Sequence, residues 1–479
     1  MRSLSGIRVI VAAGLITAVT AGLAVAAPVA APIAAQAGVN ASAPYSFGSN
    51  SFGELGDGTT TASITPVLLS GLPSPVIQVA AGFEASAALL ANGTVWTWGR
   101  NGYLGLGDAD GIVDRPQQLP GLPRITQIAL GMGDDGYAVA ADGSLWAWGD
   151  NTYGQLGNGT TTTSYTPIQV PGLTGVWQVA AGADYVLALR EDGTVWAWGS
   201  NGRGNLGDGT TASHLVPEQV PGLTAIAQVA AGDDTSFAVR DGGTLFSWGD
   251  NALGTLGTGT AGGYAVSPTP VPGLTGVTQV ASNGLSTLAL ANAAVWSWGI
   301  NDCGELGDGT TTNRYSPELI LPGPITQVAA GITFVFRGFS AAIRPDGQLL
   351  TWGCNEVGQL GQGTAGGPIT TPTPVAGLTG VSQIAFGAEI TGLFGGAYGL
   401  VIAAAPTVPN VVGDTLAGVG IALRAAGLVV GTISTTTDWL CNDVGRVEYQ
   451  NPPAGTTVAY GSAVSITIGE RPPPPHECP

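Results

Sequence analysis

The sequence predicts an all-β fold, a seven-bladed β-propeller of four-stranded blades closed by the N-terminal strand, followed by a small α+β C-terminal module. Three observations predict it. A Trp-Gly-x-Asn core returns at Trp98, Trp148, Trp198, Trp248, Trp298 and Trp352, with Phe47-Gly48-Ser49-Asn50 as a seventh copy, at intervals of 51, 50, 50, 50, 50 and 54 residues. A second element, Val/Ile-x-Gln-Val/Ile, also occurs seven times, from Val76-Ile77-Gln78-Val79 to Val381-Ser382-Gln383-Ile384. From Pro406 onward both patterns stop and a different composition begins. A fixed period of this length marks a stacked or radial repeat, and 77 glycines with 32 prolines fit short strands joined by tight turns.

Taken in order, residues 1–37 read as a signal peptide and Ala/Pro-rich leader. Arg2 and Arg8 precede an apolar run from Val9 to Ala27, and Ala-x-Ala cleavage sites occur at Ala24-Val25-Ala26 and Ala35-Gln36-Ala37. An uncleaved anchor is the alternative, since about 19 apolar residues can just span a bilayer. The run is rich in Ala and Gly and ends in Pro28, which favours cleavage, and no second span follows, so no stable membrane span is expected after it.

Residues 43–404 form the predicted propeller. Each unit contains the Gln-Val strand, an apolar strand such as Val186-Leu187-Ala188-Leu189, a strand such as Val195-Trp196-Ala197-Trp198, and a weaker one near Ile168-Gln169-Val170. Asn92-Gly93, Asp142-Gly143 and Asp192-Gly193 lie between the second and third and supply the positive φ of a tight hairpin. The chain begins and ends out of phase. Leu400-Val401-Ile402 has no Trp-x-Trp-Gly strand after it, and Tyr45-Ser46-Phe47-Gly48 is the missing strand, so pairing the two closes the ring and removes an open edge.

Full copies such as Trp148-Gly149-Asp150-Asn151-Thr152-Tyr153-Gly154-Gln155-Leu156-Gly157, with the Gln-Val-Ala-Ala-Gly strand, resemble the regulator of chromosome condensation repeat family. The resemblance implies a seven-bladed propeller. The family's best-known member is a nuclear exchange factor for a small GTPase. Here an export signal precedes the repeats, and the His that commonly follows Ala-Ala-Gly is absent, the stretch reading Ala183-Asp184-Tyr185-Val186, so exchange activity does not carry over.

Behind the propeller come Val408-Pro409-Asn410-Val411-Val412-Gly413, then a helix from about Thr415 to Ala426 with apolar Leu416, Val419, Ile421 and Leu423, ended by Gly427. Gln450-Asn451-Pro452-Pro453 and Val464-Ser465-Ile466-Thr467-Ile468 follow, and the predicted order is strand, helix, then strands with a Pro-Pro turn. Over residues 406–469 this resembles one PASTA domain, a module of bacterial cell-wall kinases and penicillin-binding proteins associated with peptidoglycan fragments, usually in tandem copies. Only one copy is present, and residues 470–479 are a Pro-rich tail.

Composition narrows the chemistry. All 14 basic residues are arginine against 32 Asp+Glu, for a net charge of −18, which repels phosphate backbones and excludes nucleic acid as a partner. His214 and His476 are the only histidines, too few for a His-dependent triad or a multi-His metal site. Asp57-Gly58-Thr59, Asp208-Gly209-Thr210 and Asp308-Gly309-Thr310 repeat a carboxylate. Asn158, Thr258 and Gln362 fill the same position elsewhere, so turn-making explains it better than calcium. Asp108, Asp110 and Asp114 lack the spacing of a calcium loop. The Trp-x-Trp-Gly strands read as inter-blade core, and no Gly-rich stretch is followed by Gly-Lys-Ser/Thr. No catalytic residue, cofactor or metal is expected. Four cysteines allow three pairings. Their positions favour Cys441 with Cys478 in the C-terminal module and Cys303 with Cys354 between neighbouring Trp-Gly loops.

The expected function is that of an exported, non-catalytic binding scaffold, monomeric, secreted or cell-wall associated, with an extracellular protein or cell-wall glycan (peptidoglycan) as partner. The alternative is a secreted inhibitor of an extracellular enzyme such as a β-lactamase, because exported propellers with similar repeats include one; a hydrolase ranks last. The candidate partner surface comes from the two lengthened connections between first and second strands. They carry Phe334, Phe336, Phe339, Leu393 and Phe394, either as an apolar binding patch or as a seal between the last blades.

Overall fold

The computed structural model describes residues 42–107, 110–333, 337–390, 396–426, 428–439, 443–458 and 462–472. Seven four-stranded antiparallel sheets are the blades. Blades 1 to 6 run in sequence order over residues 76–118, 125–169, 176–219, 226–270, 277–321 and 327–374. Blade 7 joins the two ends of the propeller, in the spatial order Thr379–Glu389, Gly396–Ala404, Ser42–Gly48, Ser63–Leu68. The register runs from Ser42↔Ala404 to Gly48↔Tyr398. The N-terminal segment thus supplies two strands and not one. Ser63–Leu68 is the outermost strand and is mostly exposed or half-buried, so it has no apolar alternation to announce it.

Burial falls from the axis to the rim, and composition follows it. Inner strands such as Val176–Ala181 are buried at every position but one, second strands such as Ser286–Ala291 at every position, and outer strands such as Ser164–Gln169 at none. Ala therefore crowds the first two strands, where both faces touch neighbouring strands. The Trp of each Trp-Gly step, from Trp98 to Trp352, is fully buried between blades, while Trp96, Trp146, Trp196 and Trp296, two residues earlier, are only partly buried.

Two hydrogen-bond series join the blades. The Trp indole N–H donates to a loop carbonyl of the preceding blade: Trp98 to Glu54, Trp198 to Gln155, Trp248 to Asn205, Trp298 to Thr255 and Trp352 to Glu305, at 2.7 to 2.9 Å. At the rim, a loop glycine N–H donates to the outer strand of the next blade, through Gly58 to Asp114, Gly107 to Tyr165, Gly159 to Leu215, Gly209 to Val266, Gly259 to Tyr315, Gly309 to Thr370 and Gly363 to Ile64. These glycines hold positive φ, for instance 79° at Gly159, a region that L side chains avoid. The glycine of the repeated Asp-Gly-Thr is therefore a joint between blades.

The C-terminal module packs helix Leu416–Ala425 on a three-stranded sheet ordered Val429–Thr437, Ala463–Glu470, Val447–Asn451. Val408, Val411, Val419, Leu423, Val447, Val464 and Ile466 fill its core. The expected strand at Val408–Gly413 does not form. That stretch is held by the Gln450 side chain, which accepts from Val411 N–H at 2.8 Å and donates to the Pro409 carbonyl at 2.9 Å. Among the described residues no helix is long and apolar enough to cross a membrane. The signal segment and most of the Pro-rich tail lie outside the described residues.

Candidate functional site

Connections between first and second strands and between third and fourth strands emerge at the same end of every blade, which we call the loop face. Backbone bonding there defines one equivalent position per blade, the carbonyl that accepts from the residue after Trp-Gly. In blades 1 to 4 its side chain is acidic. Arg100 N–H donates to Glu84, Asp150 to Asp134, Ser200 to Asp184 and Asp250 to Asp234. In blades 5 to 7 the same position is Leu285, Gly338 and Ala397. Four consecutive blades therefore place a carboxyl at the inner rim of one face, and three do not. Asp150 and Asp250 add to the arc, and at its blade-7 end lie Glu389 and Glu54.

Crowding acid among acid, in partly desolvated surroundings, works against the charged form. Burial, then the fields of Asp234 and Asp150, push Asp184 up to about 7. Asp234 rises to about 6, chiefly by burial and Asp250, with Arg203 opposing. Asp134, Asp135 and Asp233 are driven up by the same causes. Glu84 is raised by burial although Arg100 holds it at 2.6 Å. At the closing seam, burial and a hydrogen bond with Glu389 push Glu54 up to about 10. Glu389 also accepts from Ser51 N–H at 3.0 Å and Ser51 Oγ at 3.1 Å. Asp135 Oδ1, Asn205 Oδ1 and Asp250 Oδ1 are buried and have no hydrogen-bond partner. The arc is rich in acceptors and poor in donors, a surface that gains from a cationic guest.

The cysteine pairing Cys303 with Cys354 is present, with Cα atoms 5.1 Å apart, and staples blade 5 to blade 6 on this face. Arg337 lies over it, with Nη1 3.7 Å from Cys303 Sγ and 2.8 Å from Glu356 Oε1. Cys303, Cys354 and Glu356 are the one group of three potential metal ligands found among the described residues, and its sulfurs are bonded to each other. Cys441 and Cys478 lie outside the described residues, as do Phe334, Phe336, Leu393 and Phe394. Of the two readings given for these aromatics, binding patch or seal, Phe339 takes the second, and its place in an exposed patch is corrected. It is fully buried, its ring edge-on to Phe386 at 4.7 Å, because the second position of the strand Gly338–Ile343 faces the next blade. It belongs to the seal between blades 6 and 7 and not to an exposed patch.

The repeated carboxylates of the Asp-Gly-Thr loops make turns. Asp57 Oδ1 accepts from Thr59 N–H at 2.9 Å and Thr59 Oγ1 at 2.8 Å, and Asn158 does the same for Thr160 at 3.0 and 2.8 Å. An amide serving as well as a carboxylate is the mark of a turn residue. His214 sits beside Asp208 at 2.7 Å, in the place that Arg314 takes beside Asp308 at 2.9 Å. The acidic arc went unseen in the sequence reading, which looked for carboxylates within one loop. The arc draws one residue from each repeat, and the discoverable signal was the column Glu84, Asp134, Asp184, Asp234 directly before the second strand.

Comparison with known proteins gives two domain assignments. The RCC1-like domain model matches residues 43–393 and the PASTA domain model residues 406–470. The human E3 ubiquitin-protein ligase HERC2 is 31% identical over 150 residues, 30% of this chain and 3% of that protein. The ultraviolet-B receptor UVR8 of Arabidopsis thaliana is 38% identical over 90 residues, 18% of this chain and 20% of the receptor. The chain thus spans a fifth or less of these curated relatives. Among solved structures, Prp20p of Saccharomyces cerevisiae, described for its binding to Gsp1p and histones, superposes with a TM-score of 0.66 at 23% identity, covering 76% of this chain and 92% of that one. Human WBSCR16 does so with a TM-score of 0.64 at 23% identity over 76% and 99%. At such identities the likeness is one of fold.

Proposed function

Because the chain belongs to the RCC1-like domain family and carries a PASTA domain behind its propeller, we propose that it is an exported, non-catalytic scaffold whose loop face holds a basic extracellular protein. The observation that supports this reading is the acidic arc of Glu84, Asp134, Asp184 and Asp234. Its carboxyls are held above their ordinary range, first by burial and then by the fields of neighbouring carboxylates. Opposite charge from a partner's arginine or lysine relieves that cost, and complementary fields also speed encounter. A second copy of this chain is a poor source of such charge, since it has no lysine and a net charge of −18.

The experiment is affinity capture from the extracellular fraction of the producing organism with the full chain and with a D184N/D234N double variant. Retention of a basic protein by the former and its loss with the latter supports the reading. A partner retained equally by both removes the arc from it, and capture of acidic or neutral proteins alone overturns the charge argument.

The PASTA domain supports a cell-wall link. Its outer sheet face offers Tyr449, 59% exposed, in register with Thr467, whose Oγ1 lies 2.9 Å from Ser434 Oγ. An aromatic ring beside a row of hydroxyls suits a sugar face. Retention of the full chain on purified peptidoglycan should fall several-fold in Tyr449→Ala. Equal retention moves any wall contact elsewhere.

A further inference from the structure

The inner strands of six neighbouring blade pairs are bridged by one glutamine each. Gln78 donates to the Ile128 carbonyl at 2.8 Å and accepts the Ile128 N–H at 2.9 Å. The same two-way bond joins Gln127 to Val179, Gln178 to Val229, Gln228 to Val280, Gln279 to Val328 and, across the ring closure, Gln383 to Val79. The seventh glutamine, Gln327, stands between blades 6 and 7. It is 6% exposed, and neither its Nε2 nor its Oε1 has a partner.

Two other locks are missing at the same seam. Phe47 occupies the place of the tryptophan and has no indole N–H. Gly399 pairs with Phe47 where Ser86, Ser236, Thr287 and Ser340 pair with a tryptophan and donate a hydroxyl to the preceding loop carbonyl. What crosses the seam is the Val381 N–H bond to the Gly347 carbonyl and the rim bond from Gly363 to Ile64, both at 2.9 Å and both repeated at other seams, together with an apolar cluster in which Phe339 meets Phe386 edge-on.

The seams on either side are the most heavily joined. Blade 5 is tied to blade 6 by the disulfide, by Asn283 Nδ2 donating to Gly331 at 2.7 Å, and by Trp352 and Gln279. Blade 7 is tied to blade 1 by Glu84 N–H to Ala388 at 2.8 Å, Ala388 N–H to Gly82 at 3.1 Å, Tyr398 Oη to Ala85 at 2.5 Å, and by Trp98 and Gln383.

We propose that the seam between blades 6 and 7 is a built-in opening line: the ring parts there first, blade 6 staying with blade 5 and blade 7 with blade 1. A cooperative ring opens where the fewest directional bonds must break, and contacts among phenylalanines slide more readily than a two-way amide bridge. The parting strands are Gln327–Ile332 and Thr379–Glu389, and the second of them ends in Glu389 on the loop face. Opening therefore widens the mouth at the blade-7 end of the acidic arc. This inference stands whether or not the arc has a basic partner.

Hydrogen exchange on the full oxidised chain at neutral pH tests it. Amides of Gln327–Ile332 and of Thr379–Glu389, Ile384 above all, should exchange about tenfold faster than those of Val176–Ala181 and Ile226–Ala231. A second measurement compares melting temperatures. Gln127→Leu, which breaks three bonds, and Gln228→Leu, which breaks two, should each lower Tm by about 2–4 °C, whereas Gln327→Leu, which breaks none, should leave it unchanged or raise it. Uniform exchange of the inner strands, or a Gln327→Leu loss equal to the other two, overturns the proposal.

Discussion

Asp184 shows how one side chain carries the conflict of the loop face. Its folded-state value, about 7, lies above the ordinary 3.8, so the fold favours the protonated form. Below about pH 4 folded and unfolded chains both hold the proton and the group costs nothing. As pH rises to about 7 only the unfolded chain gains by releasing it, so stability is lost across that window and the loss is complete above it. Asp184→Asn should therefore raise stability at pH 8 by about 1–2 kcal/mol, with the gain vanishing near pH 4. Chemical denaturation at the two pH values checks this, and an equal effect at both refutes the electrostatic origin. The tryptophans give a paired test. Trp198 Nε1 donates to Gln155 at 2.8 Å, whereas Trp148 Nε1 is buried without a partner. Trp198→Phe should cost about 1 kcal/mol more than Trp148→Phe, because it also removes a buried indole hydrogen bond. Equal losses would mean that the indole bond adds nothing to packing.

Among the elements, Ser42–Gly48 is decisive because it lies inside blade 7, bonded to Gly396–Ala404 on one side and Ser63–Leu68 on the other. Deleting residues 42–48 exposes two strand edges and should abolish the single cooperative melting transition; a retained transition at unchanged Tm would refute closure by this strand. This element was legible from Tyr45-Ser46-Phe47-Gly48, whose apolar and glycine positions match the third strand of every other unit. The number of blades was legible for the same reason, since the Trp-Gly loops and the Gln-Val strands are independent series. Ser63–Leu68 was not, because outer strands are half solvated and carry no alternation. The candidate site was legible least. Glu84, Asp134, Asp184 and Asp234 lie about 50 residues apart, and only the ring geometry makes them neighbours. The cysteine pair Cys303 and Cys354 could be read because both fall at set places in successive Trp-Gly loops.

The whole molecule should inherit the sign of its raised carboxyls. Asp184 and Glu305 at about 7 and Asp234 at about 6 all lose stability as pH rises, while Asp208 and Asp308, lowered by hydrogen bonds from His214, Arg314 and the threonines, lose it only as pH falls through the ordinary carboxylate range. Between these limits Tm should climb as pH is lowered from 8 to about 5, then fall below about 4. A scan of Tm against pH at constant ionic strength checks it, and a flat or opposite trend between 5 and 8 would refute it. Raised salt should shrink the slope, since screening weakens repulsion among partly exposed carboxyls.

The closure of blade 7 also sets a timetable. Ser42–Gly48 leaves the ribosome before any blade exists, yet its partner Gly396–Ala404 is made some 350 residues later. Blades 1 to 6 can fold in the order of their synthesis, each from adjacent residues. The first strand can pair early with Ser63–Leu68, but its other edge must wait for the whole of that time. The last event in forming this molecule is therefore a meeting of its oldest and newest propeller segments. A chain stopped between Pro374 and Thr379 holds six finished blades and half of a seventh that nothing can complete.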